Sequence, residues 1–346
     1  MLIAALRSAT SAFLAVTISW RASGRSAIGG IVAALIAPVA LAQESSAQPE
    51  PPAAVESAAG GLLSLLLLLG LTAVAWFAAA KLHAFTLRPQ LEPRPRPRGL
   101  ADRPDPLPKP DASLLALAGA FTVFLIASLA VAPAGLLLGE ADAQAQPLRA
   151  AGLPGLFYYP AGIVAGVVAL VLCRTDHRRP RPADLAIGLL AFVLAAPVIM
   201  LIGRLGAVAL ELLGHGSDAA LQHGTLDLLT DPGATHSPWF WAVVAGAVLG
   251  APVFEELLFR GLLQPACAGI ARSRWLGILI SSAVFVALHV PTGEASTGAT
   301  LAAIPTIAAL SIALGIARDR TRSVAVPIVM HAAFNAANVG LAFAVI

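Results

Sequence analysis

Eight long apolar runs, with hardly a charged side chain in them, follow one another along this chain. They cover approximately residues 61–82, 113–138, 153–173, 185–210, 239–263, 275–290, 299–317 and 325–345. A helix of about 20 such residues crosses the roughly 30 Å of hydrocarbon in a bilayer. Only 12% of the residues are charged, which excludes an ordinary soluble domain and a disordered chain. The pattern predicts an all-α, polytopic transmembrane helical bundle with about eight spans.

A signal-like segment precedes these runs. Arg21 and Arg25 are followed by an apolar stretch over 27–42 that ends in Ala40-Leu41-Ala42. Small residues in this arrangement are typical of the cleavage site of an export signal. We interpret residues 1–42 as such a segment, and an uncleaved first membrane helix is the alternative.

The rest of the chain divides into two parts. Residues 43–112 hold a Pro/Ala/Glu linker, one isolated transmembrane helix and a Pro/Arg-rich spacer, in which Pro and Arg alternate around Arg96. Because each proline removes an N–H group and fixes φ, this spacer is predicted to be extended. Residues 113–346 are predicted to form the multi-span membrane domain.

Lys and Arg are distributed unevenly between the connections that link the runs. Taken alternately, one set of connections holds sixteen basic residues, and the other set holds Arg149 alone. The positive-inside rule makes the first set cytoplasmic, including the Pro/Arg-rich spacer. Together with the export signal, this predicts a multi-pass protein of a bacterial-type inner (plasma) membrane. The lipid bilayer is then its surroundings, and no nucleic-acid partner is expected, because every basic cluster lies beside a span end.

Polar side chains inside three C-terminal runs are the candidate functional residues. Charged residues at such depth cost about 3 kcal/mol each on insertion scales and face the interior of a bundle. They occur in three motifs, which are Glu255-Glu256-x-x-x-Arg260, Phe285-x-x-x-His289 and His331-x-x-x-Asn335. Residues four apart share a helix face, so Arg260 can pair with Glu256, while Glu255 points to a different partner. The rise per residue places the polar groups of the three runs at comparable depth.

In this order on successive hydrophobic segments, the three motifs resemble those of the CPBP family. That family comprises CaaX prenyl endopeptidases of the second type, bacteriocin-processing and immunity proteins, and bacterial Abi proteins. The resemblance covers approximately residues 185–345. It implies an intramembrane glutamic endopeptidase, which hydrolyses a peptide bond of a membrane-associated or CaaX-like peptide or protein.

The resemblance also implies a role for each motif residue. Glu255 and His289 would activate a water, and His331 with Asn335 would support the oxyanion. The full set of implied catalytic residues is Glu255, Glu256, His289, His331 and Asn335, with Arg260 and Phe285 in support.

Three other interpretations are open at this point. Two histidines and a glutamate could hold zinc, but the compact His-Glu-x-x-His pattern is absent and the resemblance implies a metal-free mechanism. We therefore predict neither a metal nor a cofactor. The chain could also be a non-catalytic membrane scaffold or immunity protein of the same fold. A proton-coupled transporter that uses the acids and histidines as a relay is the third alternative.

Overall fold

The computed structural model describes much of the predicted membrane domain. The described residues are 68–74, 107–139, 145–175, 177–212, 229, 234–289 and 297–344. They are largely helical and contain no strand. The predicted all-α, polytopic helical bundle is thereby confirmed. The signal-like segment, most of the first span and most of the Pro/Arg-rich spacer lie outside the described residues. Residues 68–74 are helical and belong to a separate unit of the chain.

The long helices of the main unit follow the predicted apolar runs. They are α1 Pro110–Leu129, α2 Ala132–Leu137, α3 Pro147–Cys173, α4 Ala183–Leu212, α5 Pro238–Ala271, α6 Arg274–His289, α7 Thr297–Thr321 and α8 Ala325–Ala344. The run predicted at 113–138 corresponds to α1 and α2 together, and each later run corresponds to one helix.

Several of these helices have the length and composition of membrane spans. Within the described residues, four stretches qualify, namely Pro110–Leu137, α3, α4 and α5. The helices α6 and α8 contain shorter apolar stretches. At 1.5 Å per residue, the 16 residues of α6 rise about 24 Å, less than the roughly 30 Å of hydrocarbon. Large apolar side chains such as Phe121, Val171 and Leu205 point outward from the bundle, as lipid-facing residues do. The chain is an integral membrane protein.

The central helix is α5, which packs against α1, α3, α6, α7 and α8. One buried apolar cluster joins α5 to α1 and α3 and includes Val123 and Leu262. A second cluster joins α4, α7 and α8 and includes Ile199 and Leu314. The part of α5 that carries the two glutamates is therefore packed against several other helices.

Glycines allow two close helix approaches near the motifs. A Cβ atom on Gly162 of α3 would lie 2.4 Å from the ring of Phe254, the residue before Glu255. A Cβ atom on Gly188 of α4 would lie 2.6 Å from the Cβ of Val329, two residues before His331. Small residues at such crossings let helix backbones approach closely inside a membrane.

The backbone of α5 changes its winding twice. Two π-helical segments, Gly246–Gly250 and Leu257–Leu263, interrupt the α-helical winding. Glu255 and Glu256 end the α-helical segment between them. The apolar run was predicted to end at residue 263, but α5 continues to Ala271. Pro265 does not end the helix, because it lies in the first turn of the α-helical segment that follows the second π segment, where a proline is tolerated. Single-turn π segments are frequent at functional sites.

The turns that follow α3, α5 and α7 share a left-handed residue. These residues are Arg174, Arg272 and Arg322, with φ values of 47°, 54° and 54°. A left-handed residue commonly ends a helix, and a basic side chain there interacts favourably with the helix dipole. All three turns belong to the connections that the positive-inside rule assigns to the cytoplasm.

A polar cluster ties the start of α4 to the turn before α8. Arg178 forms an ion pair with Asp184, whose side chain is 3% exposed. The Ser323 hydroxyl donates to Asp184 Oδ2 at 2.8 Å. Arg178 Nε also donates to the Thr321 carbonyl at 2.9 Å. The cluster fixes the beginning of the helix that carries His331 and Asn335.

Candidate active site

Glu256 lies at the centre of a buried polar network. Its side chain is fully buried, and its Oε1 accepts a hydrogen bond from Arg260 Nη1 at 3.2 Å. The same oxygen is 2.9 Å from His331 Nδ1. Arg260 is itself 1% exposed, and its Nη2 donates to the carbonyl and the hydroxyl of Ser311 on α7, at 2.9 and 2.8 Å. A buried charge needs such partners, because the bundle interior offers little solvation.

The two histidines are oriented through their Nδ1 atoms. His289 Nδ1 is 2.7 Å from the Phe285 carbonyl, and His331 Nδ1 is 2.9 Å from Glu256 Oε1. Because a carbonyl and a carboxylate both accept, each Nδ1 carries the proton and donates it. With the proton on Nδ1, the neutral form of each ring has an unprotonated Nε2, which can accept a proton.

Both Nε2 atoms face the same oxygen of Glu255. Glu255 Oε2 lies 3.8 Å from His289 Nε2 and 3.9 Å from His331 Nε2. Among the described residues, no donor reaches this buried oxygen within hydrogen-bonding distance. The side chain of Glu255 is 16% exposed and that of His289 is 29% exposed, whereas His331 is 5% exposed. The cluster is therefore closed on the His331 side and open beside His289.

The ring of Phe285 contacts both His289 and Arg260. Its ring stacks on His289 with the centroids 4.2 Å apart and the planes 23° apart. The guanidinium carbon of Arg260 lies 4.8 Å from the centroid of the same ring. The ring thus separates the cation from the histidine, and contacts of both kinds are attractive.

Asn335 lies beside this group and is bonded elsewhere. Its Nδ2 donates to the carbonyl of Ala247, in the first π segment, at 2.8 Å. The structure therefore brings Glu255, His289 and His331 together around one point, with Glu256, Arg260 and Phe285 behind them. Asn335 connects α8 to the helix that carries the glutamates.

Two contributions to the site have no counterpart in the three motifs. Ser311 holds the guanidinium of Arg260, and a lone serine in an apolar helix gives no sequence signal for this contact. The helix α3 forms a wall beside Glu255, where the Tyr158 ring packs edge-on against Phe254 at 4.9 Å. The ring of Tyr159 lies against Gly250, 2.7 Å from the position of a Cβ there. Tyr158 and Tyr159 are the only two tyrosines in the sequence, and this rarity is the one signal by which the sequence marks them.

Metal binding requires a tighter set of ligands. Zinc binds histidine nitrogens at about 2.0–2.1 Å and usually has three or four protein ligands. Among the described residues, no group of three or more His, Cys, Asp or Glu side chains has an arrangement that could hold a metal ion.

Residues 237–337 match the family model described as "Rce1-like: Type II CAAX prenyl endopeptidase Rce1-like". The matched segment contains all three motifs and extends from α5 into α8. The resemblance to the CPBP/CaaX protease family is confirmed. The match covers less than one third of the chain, and the family that this segment resembles is one of endopeptidases. No curated protein and no solved structure gave a match. The wall that α3 adds to the site lies outside the Rce1-like segment.

Proposed function

We propose that this chain is an intramembrane glutamic endopeptidase, which hydrolyses a peptide bond with a water activated by Glu255 and uses no metal. The observation that supports this most directly is the distance of 3.8 to 3.9 Å from Glu255 Oε2 to the Nε2 atoms of His289 and His331. These distances are too long for a direct hydrogen bond and suit a single water that contacts all three atoms.

The chemistry follows from the acceptor atoms. Glu255 Oε2 takes a proton from the water, and the water oxygen forms a bond to the carbonyl carbon of the substrate. Charge develops on the carbonyl oxygen, and a histidine whose Nε2 receives that proton from Glu255 can stabilise the charge before it passes the proton on. The C–N bond then breaks, and the leaving nitrogen takes the proton that came from the water. General acid–base catalysis of this kind contributes about 10²- to 10⁴-fold in rate.

The residues behind Glu255 order this reaction. Glu256 accepts from His331 Nδ1 and thereby keeps the lone pair of that ring on Nε2, toward Glu255. Arg260 balances the charge of Glu256 in the buried network. This is the logic of a carboxylate that fixes the tautomer and orientation of a catalytic histidine. Asn335 would join the oxyanion with the amide hydrogen that is not donated to Ala247.

The substrate class is a peptide or protein at the membrane. The cluster lies within helices surrounded by lipid, so a substrate must reach it from the bilayer or its surface. A CaaX-like tail presumes prenylation, and an export signal favours a bacterial host, where processing of a leader or membrane peptide is the more suitable role. We accordingly place the protein in a bacterial-type inner membrane.

The decisive experiment compares the membrane proteomes of cells that produce the wild type, Glu255→Gln or Glu211→Gln. Glu211 is an exposed residue of α4 outside the site, so it controls for the loss of a carboxylate. We expect new peptide termini in the wild type and in Glu211→Gln, and their absence in Glu255→Gln. Equal termini in all three strains would favour the non-catalytic scaffold.

A second measurement addresses the metal. Purified protein in detergent should cleave a peptide found in this way at an unchanged rate after treatment with a strong chelator. Stoichiometric zinc, with activity lost on chelation and restored by zinc, would refute the glutamic mechanism.

A further inference from the structure

Each π segment of α5 ends next to a proline, and the two features together remove main-chain donors. At the end of the first segment, Ala251 N–H donates five residues back, to the Gly246 carbonyl. At the end of the second, Gln264 N–H donates five residues back, to the Phe259 carbonyl. The next residue in each case is a proline, Pro252 or Pro265 in turn, which has no N–H group.

Two carbonyls of α5 therefore lose their helical donors. The Ala247 carbonyl would receive from residue 251 in an α-helix or from residue 252 in a π-helix, but the first N–H is used on Gly246 and the second does not exist. The Arg260 carbonyl is in the same position with respect to residues 264 and 265. A buried carbonyl without a partner is costly, so each of these needs a donor from elsewhere.

Side chains of two other helices supply these donors. Asn335 Nδ2 of α8 donates to the Ala247 carbonyl at 2.8 Å. Arg318 Nε of α7 donates to the Arg260 carbonyl at 3.1 Å, and Arg318 is a buried residue at 7% exposure. The two acceptors bracket the glutamates, because Ala247 lies eight residues before Glu255 and Arg260 lies four residues after Glu256.

Each of these bonds fixes a helix that contributes to the site. Asn335 is one helical turn from His331, which touches both glutamates. Arg318 is seven residues from Ser311, so the two lie on the same face of α7, and Ser311 holds the guanidinium of Arg260. A third contact on this face, from Gln264 Nε2 to the Gly315 carbonyl at 3.1 Å, supports the same register.

We propose that the two π–proline steps of α5 are docking acceptors for neighbouring helices, and that Arg318 is a positioning residue for the glutamates. By binding the carbonyl that Pro265 leaves open, Arg318 sets the register of α7 against α5. Through Ser311 and Arg260, this register holds Glu256 against His331. The positioning role rests on the proposed peptidase function, whereas the docking bond itself does not.

The test is a double-variant cycle on the purified full-length protein in detergent. Arg318→Gln removes the guanidinium Nε that donates to the Arg260 carbonyl. Pro265→Ala introduces an N–H five residues after Arg260, which can satisfy the same carbonyl from within α5. Arg320→Gln is the matched control, because Arg320 is an exposed arginine of the same helix.

We expect Arg318→Gln to lower the midpoint of thermal unfolding by about 3 to 6 °C, and Arg320→Gln to leave it unchanged. In the Pro265→Ala background, Arg318→Gln should lower the unfolding midpoint by less than half as much as it does in the wild type. If Arg318→Gln lowers the midpoint equally in both backgrounds, the Arg260 carbonyl is not the docking acceptor. If Arg318→Gln alone does not yield folded protein, recovery of a folded double variant supports the proposal, and failure of the double variant while Pro265→Ala folds contradicts it.

The positioning role has a separate readout. For a peptide cleaved in a Glu255-dependent manner, Arg318→Gln should lower kcat at least tenfold with little change in KM, and Pro265→Ala should restore kcat. Loss of kcat that Pro265→Ala does not restore would contradict positioning of the glutamates through the Arg260 carbonyl. If the wild type cleaves nothing, the proposed function fails, while the coupling of unfolding midpoints still decides the docking bond.

Discussion

Two adjacent glutamates meet opposite surroundings in this protein. Glu256 is fully buried and is compensated by Arg260 and by His331 Nδ1. Glu255 faces two Nε2 atoms that can accept protons, and it is partly exposed. Successive residues of a helix lie about 100° apart around its axis, so the two carboxylates face different partners. We therefore expect Glu256 to be a structural charge and Glu255 to be the reactive one.

The first prediction follows from this contrast. Glu255→Gln should reduce cleavage by at least about 10³-fold, because an amide cannot take a proton from water, and it should leave the unfolding midpoint nearly unchanged. Glu256→Gln should lower the free energy of unfolding by about 3 kcal/mol, because the buried Arg260 charge loses its compensation. It should lose less activity than Glu255→Gln. Cleavage assays and thermal unfolding of both variants test this difference. An equal loss of stability in the two variants would contradict it.

The second prediction concerns the Phe285 ring. Phe285→Leu removes the surface on which His289 stacks and over which Arg260 lies. We expect a loss of about 2 kcal/mol in the free energy of unfolding, together with lower kcat, because His289 is then free to rotate away from Glu255. The matched control is Phe121→Leu, on a ring that is 68% exposed on α1 and faces lipid. The idea fails if both variants behave like the wild type.

Among the elements, the apolar runs predicted the positions of the helices well, but they gave no indication of the π-helical winding within α5. The starts and ends of α6 and α8 lie within a residue or two of the predicted runs, and basic residues, Arg272 and Arg322, come just before the two starts. A π segment has no such mark, because an uninterrupted apolar sequence does not reveal its residues per turn. The only sequence signal was a pair of prolines inside a helix, Pro252 and Pro265, which helices normally exclude.

The residues of the candidate site were predicted from the sequence only in part. Ionisable residues inside apolar runs are expensive, so Glu255, His289 and His331 were visible from sequence as one group. The contact of Asn335 with the Ala247 carbonyl could not be predicted, because every residue has a main-chain carbonyl and the sequence does not show which of them lacks a helical donor. Ser311 and Arg318 were missed for a related reason. One looks like an ordinary small residue of a membrane helix, and the other looks like a basic residue of a cytoplasmic turn.

The third prediction concerns the crossing of α3 and α5. Gly162→Ala should destabilise the protein by about 1 to 3 kcal/mol, because the added Cβ would lie 2.4 Å from the buried Phe254 ring and must displace it. Gly340→Ala in α8 is the control, since nothing lies within 4 Å of its Cβ position. There the intrinsic helix preference of alanine over glycine should stabilise by up to about 1 kcal/mol. Opposite signs of the two shifts in unfolding midpoint are expected, and equal signs would contradict the close crossing.

At the scale of the whole molecule, the orientation in the membrane decides from which side a substrate approaches. The left-handed arginines after α3, α5 and α7 lie in connections around which nine Arg residues cluster, whereas Arg149, in the first turn of α3, is the one basic residue near the opposite end of that helix. From the positive-inside rule we expect the ends of α3, α5 and α7 to lie in the cytoplasm. It follows that the turn between α3 and α4 and the end of α2 face opposite compartments.

The fourth prediction tests this orientation by cysteine labelling. Arg179→Cys lies in the exposed connection between α3 and α4, and Gly139→Cys lies in the exposed chain after α2. The native Cys173 and Cys267 are buried and give a low background. A membrane-impermeant maleimide should label Gly139→Cys, and not Arg179→Cys, in intact cells, and inverted membrane vesicles should give the opposite result. Labelling of Arg179→Cys from outside the cell would reverse the orientation, and the cytoplasmic assignment of the basic connections would fall with it.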